Sequence, residues 1–139
     1  MKSFLKIYTD GGARGNPGPG AAAFVVVEAG RVIFKGSRFL GKTTNNKAEY
    51  NGVIMALAWL LNNKSAAANK DVFIFLDSQL IARQLGGFYK IKSENLKPLV
   101  KRIKSLLKKI PVNVNYSTVP REKNRLADAI VNKEIDENI

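Results

Sequence analysis

Four acids in this chain stand where carboxylates can do chemistry. Asp10 closes the alternating run Phe4-Leu5-Lys6-Ile7-Tyr8-Thr9 and opens the segment Gly11 to Gly20, which is almost wholly turn formers. Glu49 shares a helical face with the apolar Val53, Ala56 and Leu60. Asp77 follows the apolar run Val72-Phe73-Ile74-Phe75-Leu76, and Asp128 lies between Ala127 and Ala129 near the start of the last helical segment. Each has an ordinary alternative: Asp10 as the first residue of a turn, Asp77 as a helix cap, Glu49 and Asp128 as first-turn acids favoured by the helix dipole. Their conjunction points elsewhere, because carboxylates gathered in one place repel one another and resist desolvation unless a cation neutralises them. The chain contains no His and no Cys, so any metal must be held by oxygen, which suits hard ions such as Mg²⁺ or Mn²⁺. Two such ions about 3.5–4 Å apart serve phosphodiester hydrolysis.

The elements that must position these acids follow from pattern. Residues 3–9 alternate as a strand, which places Asp10 at its end; Ala21 to Val27 and Arg31 to Phe39 are β-rich, with Glu28-Ala29-Gly30 as the hairpin between them. The polar stretch Gly41 to Asn46 offers Thr44, Asn45 or Asn46 as the cap of a long helix over Lys47 to Leu61. A loop over 62–70 leads to Val72–Leu76, whose unbroken apolar character predicts a strand buried on both faces. Strand, Asp77 and the short helix Ser78 to Leu85 then form a crossover unit with its acid at the strand's C-terminal end, where open sheets place ligands. Gly86-Gly87 ends that helix, and Phe88-Tyr89-Lys90-Ile91-Lys92 is an irregular basic connector. Asn95 to Lys109 reads as a helix with an apolar stripe of Leu96, Leu99, Val100, Ile103, Leu106 and Leu107, Pro98 falling in its first turn. Val112 to Tyr116 alternates as a final strand, Val119 to Asn124 is a loop, and Arg125 to about Asp136 is the last helix. The length of 139 residues fits a single domain spanning 1–139.

Charge bears on the partner. Lys and Arg number 23 against 11 Asp and Glu, a formal charge of +12, which favours a polyanion. Solubility alone or an anionic membrane surface also accommodates such a balance, so charge does not by itself select nucleic acid. Lys90, Lys92, Lys97, Lys101, Arg102, Lys104, Lys108 and Lys109 crowd one segment; such a face is often only solvated. No apolar run approaches the roughly 20 residues that cross a bilayer, and no signal-peptide core is visible, so a soluble cytoplasmic protein without membrane association is expected.

The motifs resemble those of the type 1 ribonuclease H family. The resemblance rests on Asp10-Gly11-Gly12 with Gly15-Asn16-Pro17-Gly18-Pro19-Gly20, on Thr43-Thr44-Asn45-Asn46-Lys47-Ala48-Glu49, on Leu76-Asp77-Ser78-Gln79, and on Val119-Pro120-Arg121-Glu122 with Asn124 and Ala127-Asp128. They run in order over nearly the whole chain. The resemblance implies an α/β fold, a five-stranded mixed sheet of three antiparallel then two parallel strands flanked by helices. It also implies cutting of the RNA strand of RNA–DNA hybrids to 5′-phosphate and 3′-hydroxyl ends, with two Mg²⁺ ions, Mn²⁺ as a substitute, no small-molecule cofactor and a monomeric state. By the same resemblance Asp10 bridges both ions, Glu49 and Asp77 complete one coordination sphere and Asp128 holds the other. Gly11, Gly12, Asn16, Asn45, Asn46 and Gln79, with the Glu49 carboxylate, match positions that contact the minor groove, where the 2′-hydroxyl marks RNA. Thr44, with Asn16 and Lys42, matches a pocket for a DNA-strand phosphate. Two features depart from the family pattern. Many members carry a His in the loop before the last helix, thought to help product and metal leave; Glu122 is the nearest ionisable residue here, and it could equally be structural. Some members insert a helix and basic loop where this chain has only residues 86–95. A non-catalytic binding module of the same fold is the alternative, and a DNA-cutting relative is disfavoured by the Asn-rich loops.

Overall fold

The computed structural model describes residues 3–87 and 93–139, and the connector Phe88–Lys92 lies outside the described residues. Strands β1 (Ser3–Ala13), β2 (Gly18–Glu28) and β3 (Arg31–Thr43) are followed by helix α1 (Asn45–Asn62) and the one-turn α2 (Lys64–Ala67). Then come β4 (Lys70–Leu76), α3 (Gln79–Leu85), α4 (Lys97–Lys109), β5 (Val114–Thr118), a 3-10 turn (Arg121–Lys123) and α5 (Arg125–Glu137). The strands form one sheet in the order β3-β2-β1-β4-β5. β1, β2 and β3 pair antiparallel, whereas β1–β4 and β4–β5 are parallel. This is the expected mixed α/β architecture. Among the described residues no helix is long and apolar enough to cross a membrane.

The pleat divides the core. Leu5 and Ile7 of β1, Phe24 and Val26 of β2, and Val72, Ile74 and Leu76 of β4 face α1, α3 and α4, meeting Tyr50, Val53, Leu57, Leu60, Ile81 and Ile103. On the opposite face Ala21 and Ala23 meet Val131 and Ile135 of α5. Small side chains there let that helix lie close to the sheet. α5 covers only the β1–β3 side, which corrects the expectation that β4 is buried on both faces. Val72, Ile74 and Leu76 are buried while Phe73 and Phe75 are half-buried. The uncovered aromatic rings pack on each other and on β1, Phe4 against Phe73 at 5.5 Å and Tyr8 against Phe75 at 5.2 Å between centroids.

The strand boundaries differ from the sequence expectation, first at β1. The strand does not end at Asp10: it continues through Ala13, with Gly11 opposite Ala22 and Gly12 opposite Ala21. The turn is confined to Arg14–Pro17, closed by a bond from the Arg14 N–H to the Pro19 carbonyl at 2.9 Å. β3 likewise runs on through Lys42 to Thr43, the loop over 62–70 contains α2, and β5 begins two residues later than Val112.

Candidate active site

Parallel pairing sets the first two acids side by side. Tyr8 is in register with Phe75, and two residues on along each strand direction stand Asp10 and Asp77. Asp77 does not cap α3, because Ser78 does: its hydroxyl accepts from the Ile81 N–H at 3.3 Å. That leaves the Asp77 carboxylate available to the cleft. α1 begins in the same way at Thr44, whose hydroxyl accepts from the Lys47 N–H at 3.3 Å.

Glycine brings Glu49 to Asp10. A Cβ on Gly11 would lie 2.2 Å from the Ala48 carbonyl carbon and 2.5 Å from the Glu49 nitrogen, and one on Gly52 would lie 2.8 Å from the Asp10 carbonyl oxygen. β1 and α1 therefore touch backbone to backbone, a contact that only residues without a Cβ permit. The adjacent Gly12 faces the other way, toward Val131 of α5. Asp128 arrives on α5 through Asn124, which is buried at the helix start and donates its side-chain amide to the Thr9 carbonyl at 2.9 Å, one residue before Asp10.

The four acids line one open cleft of about 260 Å³ together with Gly11, Gly12, Ala13, Arg14, Asn45 and Arg121. Asp10 is 7% exposed. Its carboxyl is pushed up to about 8 by burial first, then by Asp77, and further by Glu49 and Asp128, against a lowering bond from the Gly11 backbone. Glu49 is pushed up to about 7 by burial and by Asp77, with the Arg121 guanidinium pulling the other way. The cleft is thus short of positive charge. Among the described residues no three acids are drawn close enough to make a closed metal cage by themselves; the carboxylates instead surround an open space, as like charges do. An all-oxygen donor set with its central member buried and forced toward the neutral form fits hard divalent cations.

Of the other residues singled out in the sequence, Gly11, Gly12 and Asn45 line the cleft, and Asn16 is tied to it. The Asn16 side-chain oxygen accepts from the Asn45 N–H at 3.0 Å, and the Asn45 side-chain oxygen accepts from the Ala13 N–H at 2.9 Å. Both carboxamide oxygens are engaged inward, so both NH₂ groups are left to donate outward. Thr44 caps α1, while Lys42, Asn46 and Gln79 stand exposed outside the cleft lining. Glu122 is exposed and does not line the cleft, whereas its neighbour Arg121 does. In a 3-10 turn successive side chains point about 120° apart, so both cannot face the acids. Arg14 was not foreseen either: it lines the cleft and ties the β1–β2 turn to α5 by an ion pair with Asp136 and a bond to the Asn132 carbonyl. Nothing in a lone Arg among turn formers announces such a partner so far along the chain.

A family model described as "Reverse transcriptase-like" matches residues 8–134. Ribonuclease HI of Halobacterium salinarum is 36% identical over 134 residues, covering 94% of this chain and 63% of that protein. A bifunctional protein of Mycobacterium tuberculosis is 33% identical over 132 residues, covering 94% of this chain and 35% of its own length. The chain thus spans about a third to two thirds of these curated relatives. Among solved structures, LC11-RNase H1 in complex with an RNA/DNA hybrid superposes with a TM-score of 0.89 at 40% identity, covering 96% of this chain and 97% of that one.

Proposed function

Because this chain belongs to the type 1 ribonuclease H family, we propose that it is a divalent-cation-dependent endonuclease that hydrolyses the RNA strand of RNA–DNA hybrids. The observation that carries this reading is the placement of Asp10: a buried carboxylate on a central strand, within electrostatic reach of all three other acids in one cleft. Asp10, Glu49, Asp77 and Asp128 would hold Mg²⁺ ions, or Mn²⁺ in their stead, with Asp10 as the shared ligand. When bound, the ions supply the Lewis acidity that makes water a nucleophile at neutral pH and steadies the departing oxygen, leaving 5′-phosphate and 3′-hydroxyl ends.

The chain's own residues do the rest. β4 ends at Leu76, so the edge of β1 beside Gly11 and Gly12 has no neighbouring strand on that side, and a ribose can approach the backbone there beside the acids. The outward NH₂ groups of Asn16 and Asn45 donate to acceptors of the bound strands, with Asn46 and Gln79 flanking them, and the 2′-hydroxyl supplies the contact that a DNA strand lacks. The Thr44 hydroxyl keeps its hydrogen free while it caps α1, and with Asn16 and Lys42 it offers donors to a phosphate. Arg121 supplies the guanidinium that holds Glu49 toward its charged form.

The test is a strand-labelled RNA–DNA hybrid incubated with Mg²⁺ or Mn²⁺, beside double-stranded RNA, double-stranded DNA and an EDTA control. Metal-dependent loss of the RNA strand alone is expected. Hybrid binding without cutting would assign the chain to a non-catalytic binding module instead, and equal cutting of double-stranded DNA would remove the claim of RNA selection.

A further inference from the structure

Helix α4 carries Lys97, Lys101, Arg102, Lys104, Lys108 and Lys109 and no acid in its span. Lys97, Lys101, Lys104 and Lys108 follow one another at spacings of four, three and four, so their ammonium groups form a single stripe. All are exposed, while Ile103 on the opposite side is buried in the core. Like charges at these spacings repel and weaken a helix. Lys97 also sits in the first turn, at the positive end of the dipole, with no acid in that turn to offset it. Among the ion pairs of the described residues, only Lys97 with Glu94 involves this helix, so the stripe is otherwise uncompensated. A run of uncompensated cations along a rigid helix is complementary to an equally regular row of anions.

Its place in the fold identifies that row. α4 packs against α1, which carries Glu49 in its second turn. After Lys109 the chain passes through Ile110 to β5, whose Val114 pairs with Val72, at the end of β4 remote from Asp77. The stripe therefore leads away from the acids along the back of α1. It extends about 16 Å, an axial length over which a duplex carries roughly ten phosphates. We propose that the α4 lysine stripe is a second phosphate-backbone contact, gripping the arm of the hybrid duplex that continues past the cleft over α1. The duplex as occupant rests on the functional reading above, and the grip is sequence-independent, adding affinity and no chemistry.

The test compares the triple variant Lys101→Gln, Lys104→Gln, Lys108→Gln with a charge-matched control, Arg31→Gln, Lys35→Gln, Lys64→Gln, drawn from exposed positions elsewhere. Binding to a fluorescent hybrid is measured by anisotropy across a salt series in an Asp10→Asn background, where cutting is absent. Steady-state cleavage is measured with Asp10 intact. The α4 variant is expected to bind about tenfold more weakly, with the slope of log K against log salt shallower by about 2 to 3. KM should rise by a similar factor with kcat within about twofold, and thermal melts should show an unchanged or raised Tm because repulsion within the helix is relieved. An equal loss in the control would assign the effect to the field of the whole molecule and overturn the proposal. So would unchanged binding, a loss accompanied by a lowered Tm, or a loss seen only with phosphatidylserine vesicles. Failure of the chain to cut any hybrid would sink the functional reading alone, since the binding comparison does not depend on cleavage.

Discussion

Replacing Asp10 by Asn tests the electrostatics of the cleft through folding, independently of catalysis. In the metal-free protein the Asp10 carboxyl stands at about 8 against an ordinary 3.8, chiefly through burial and then Asp77. Between those values the folded chain holds a proton that the unfolded chain has released, so folding is increasingly opposed as pH rises from about 4 to about 8 and levels off above. One unit corresponds to about 1.4 kcal/mol, which sets a ceiling of about 4 kcal/mol at pH 7. Adjustment of the open carboxylates and water entry bring the expected figure to about 2 kcal/mol. Asn keeps the shape and an oxygen for the Gly11 N–H and carries no charge at any pH. The variant should therefore match the parent near pH 4 and exceed it at pH 8 by about 2 kcal/mol, or about 8 °C in Tm for a chain of this size. Urea unfolding in EDTA at a series of pH values reads the difference directly. Adding Mg²⁺ should raise the parent more than the variant, because only the parent retains the full set of carboxylates to bind it. The reasoning would be refuted by a variant that is less stable than the parent at pH 8, or by a stability difference that does not change with pH. Cleavage by the variant should be lost throughout.

Two further perturbations probe the cleft from its walls. Gly11→Ala places a Cβ 2.2 Å from the Ala48 carbonyl carbon where 3.4 Å is the ordinary limit, so α1 must retreat by roughly 1 Å; about 1–3 kcal/mol of stability and about a hundredfold in kcat should be lost, checked by denaturant melts and hybrid cleavage. Arg121→Ala removes the cation that pulls Glu49 down, so the Glu49 carboxyl should titrate above its present value of about 7 and the acidic limb of the cleavage pH profile should move to higher pH. Arg121→Lys should restore most of that limb and Glu122→Gln should leave it in place; a profile unmoved by Arg121→Ala would remove the residue from the site.

Element order, the mixed sheet and the acids that converge were all legible in the sequence because their signals are periodic. Leu5, Ile7 and Thr9 alternate, Val53, Ala56 and Leu60 recur on one helical face, and Asp77 directly follows the apolar run of β4. The extension of β1 through Gly11 and Gly12 was not legible, because Gly is a turn former by intrinsic preference and only the approach of Ala48 explains Gly11 inside a strand. Val72–Leu76 misled in the opposite sense. Its aromatic residues satisfy each other and the rings of Phe4 and Tyr8, a partnership across strands that a linear apolar run cannot distinguish from burial beneath a helix. Arg121 and Glu122 are neighbours with opposite charges, and only the three-residue period of the turn selects which one meets the acids.

The reciprocal glycines of β1 and α1 have a consequence for how the protein can vary. Most joints between a helix and a sheet are cushioned by side chains whose rotamers absorb error, so a change on one side is damped before it reaches the other. At Gly11 and Gly52 there is no cushion, and the two backbones act as a mechanical datum, a surface from which other dimensions are measured. Insertions at the Ala29-Gly30 hairpin or beyond the end of α1 at Asn62 are displaced away from that datum, so they alter the outline of the molecule without altering the spacing of Asp10 and Glu49. Size and surface are left free to diverge, while the interval between two carboxylates is held by the thickness of a bare peptide.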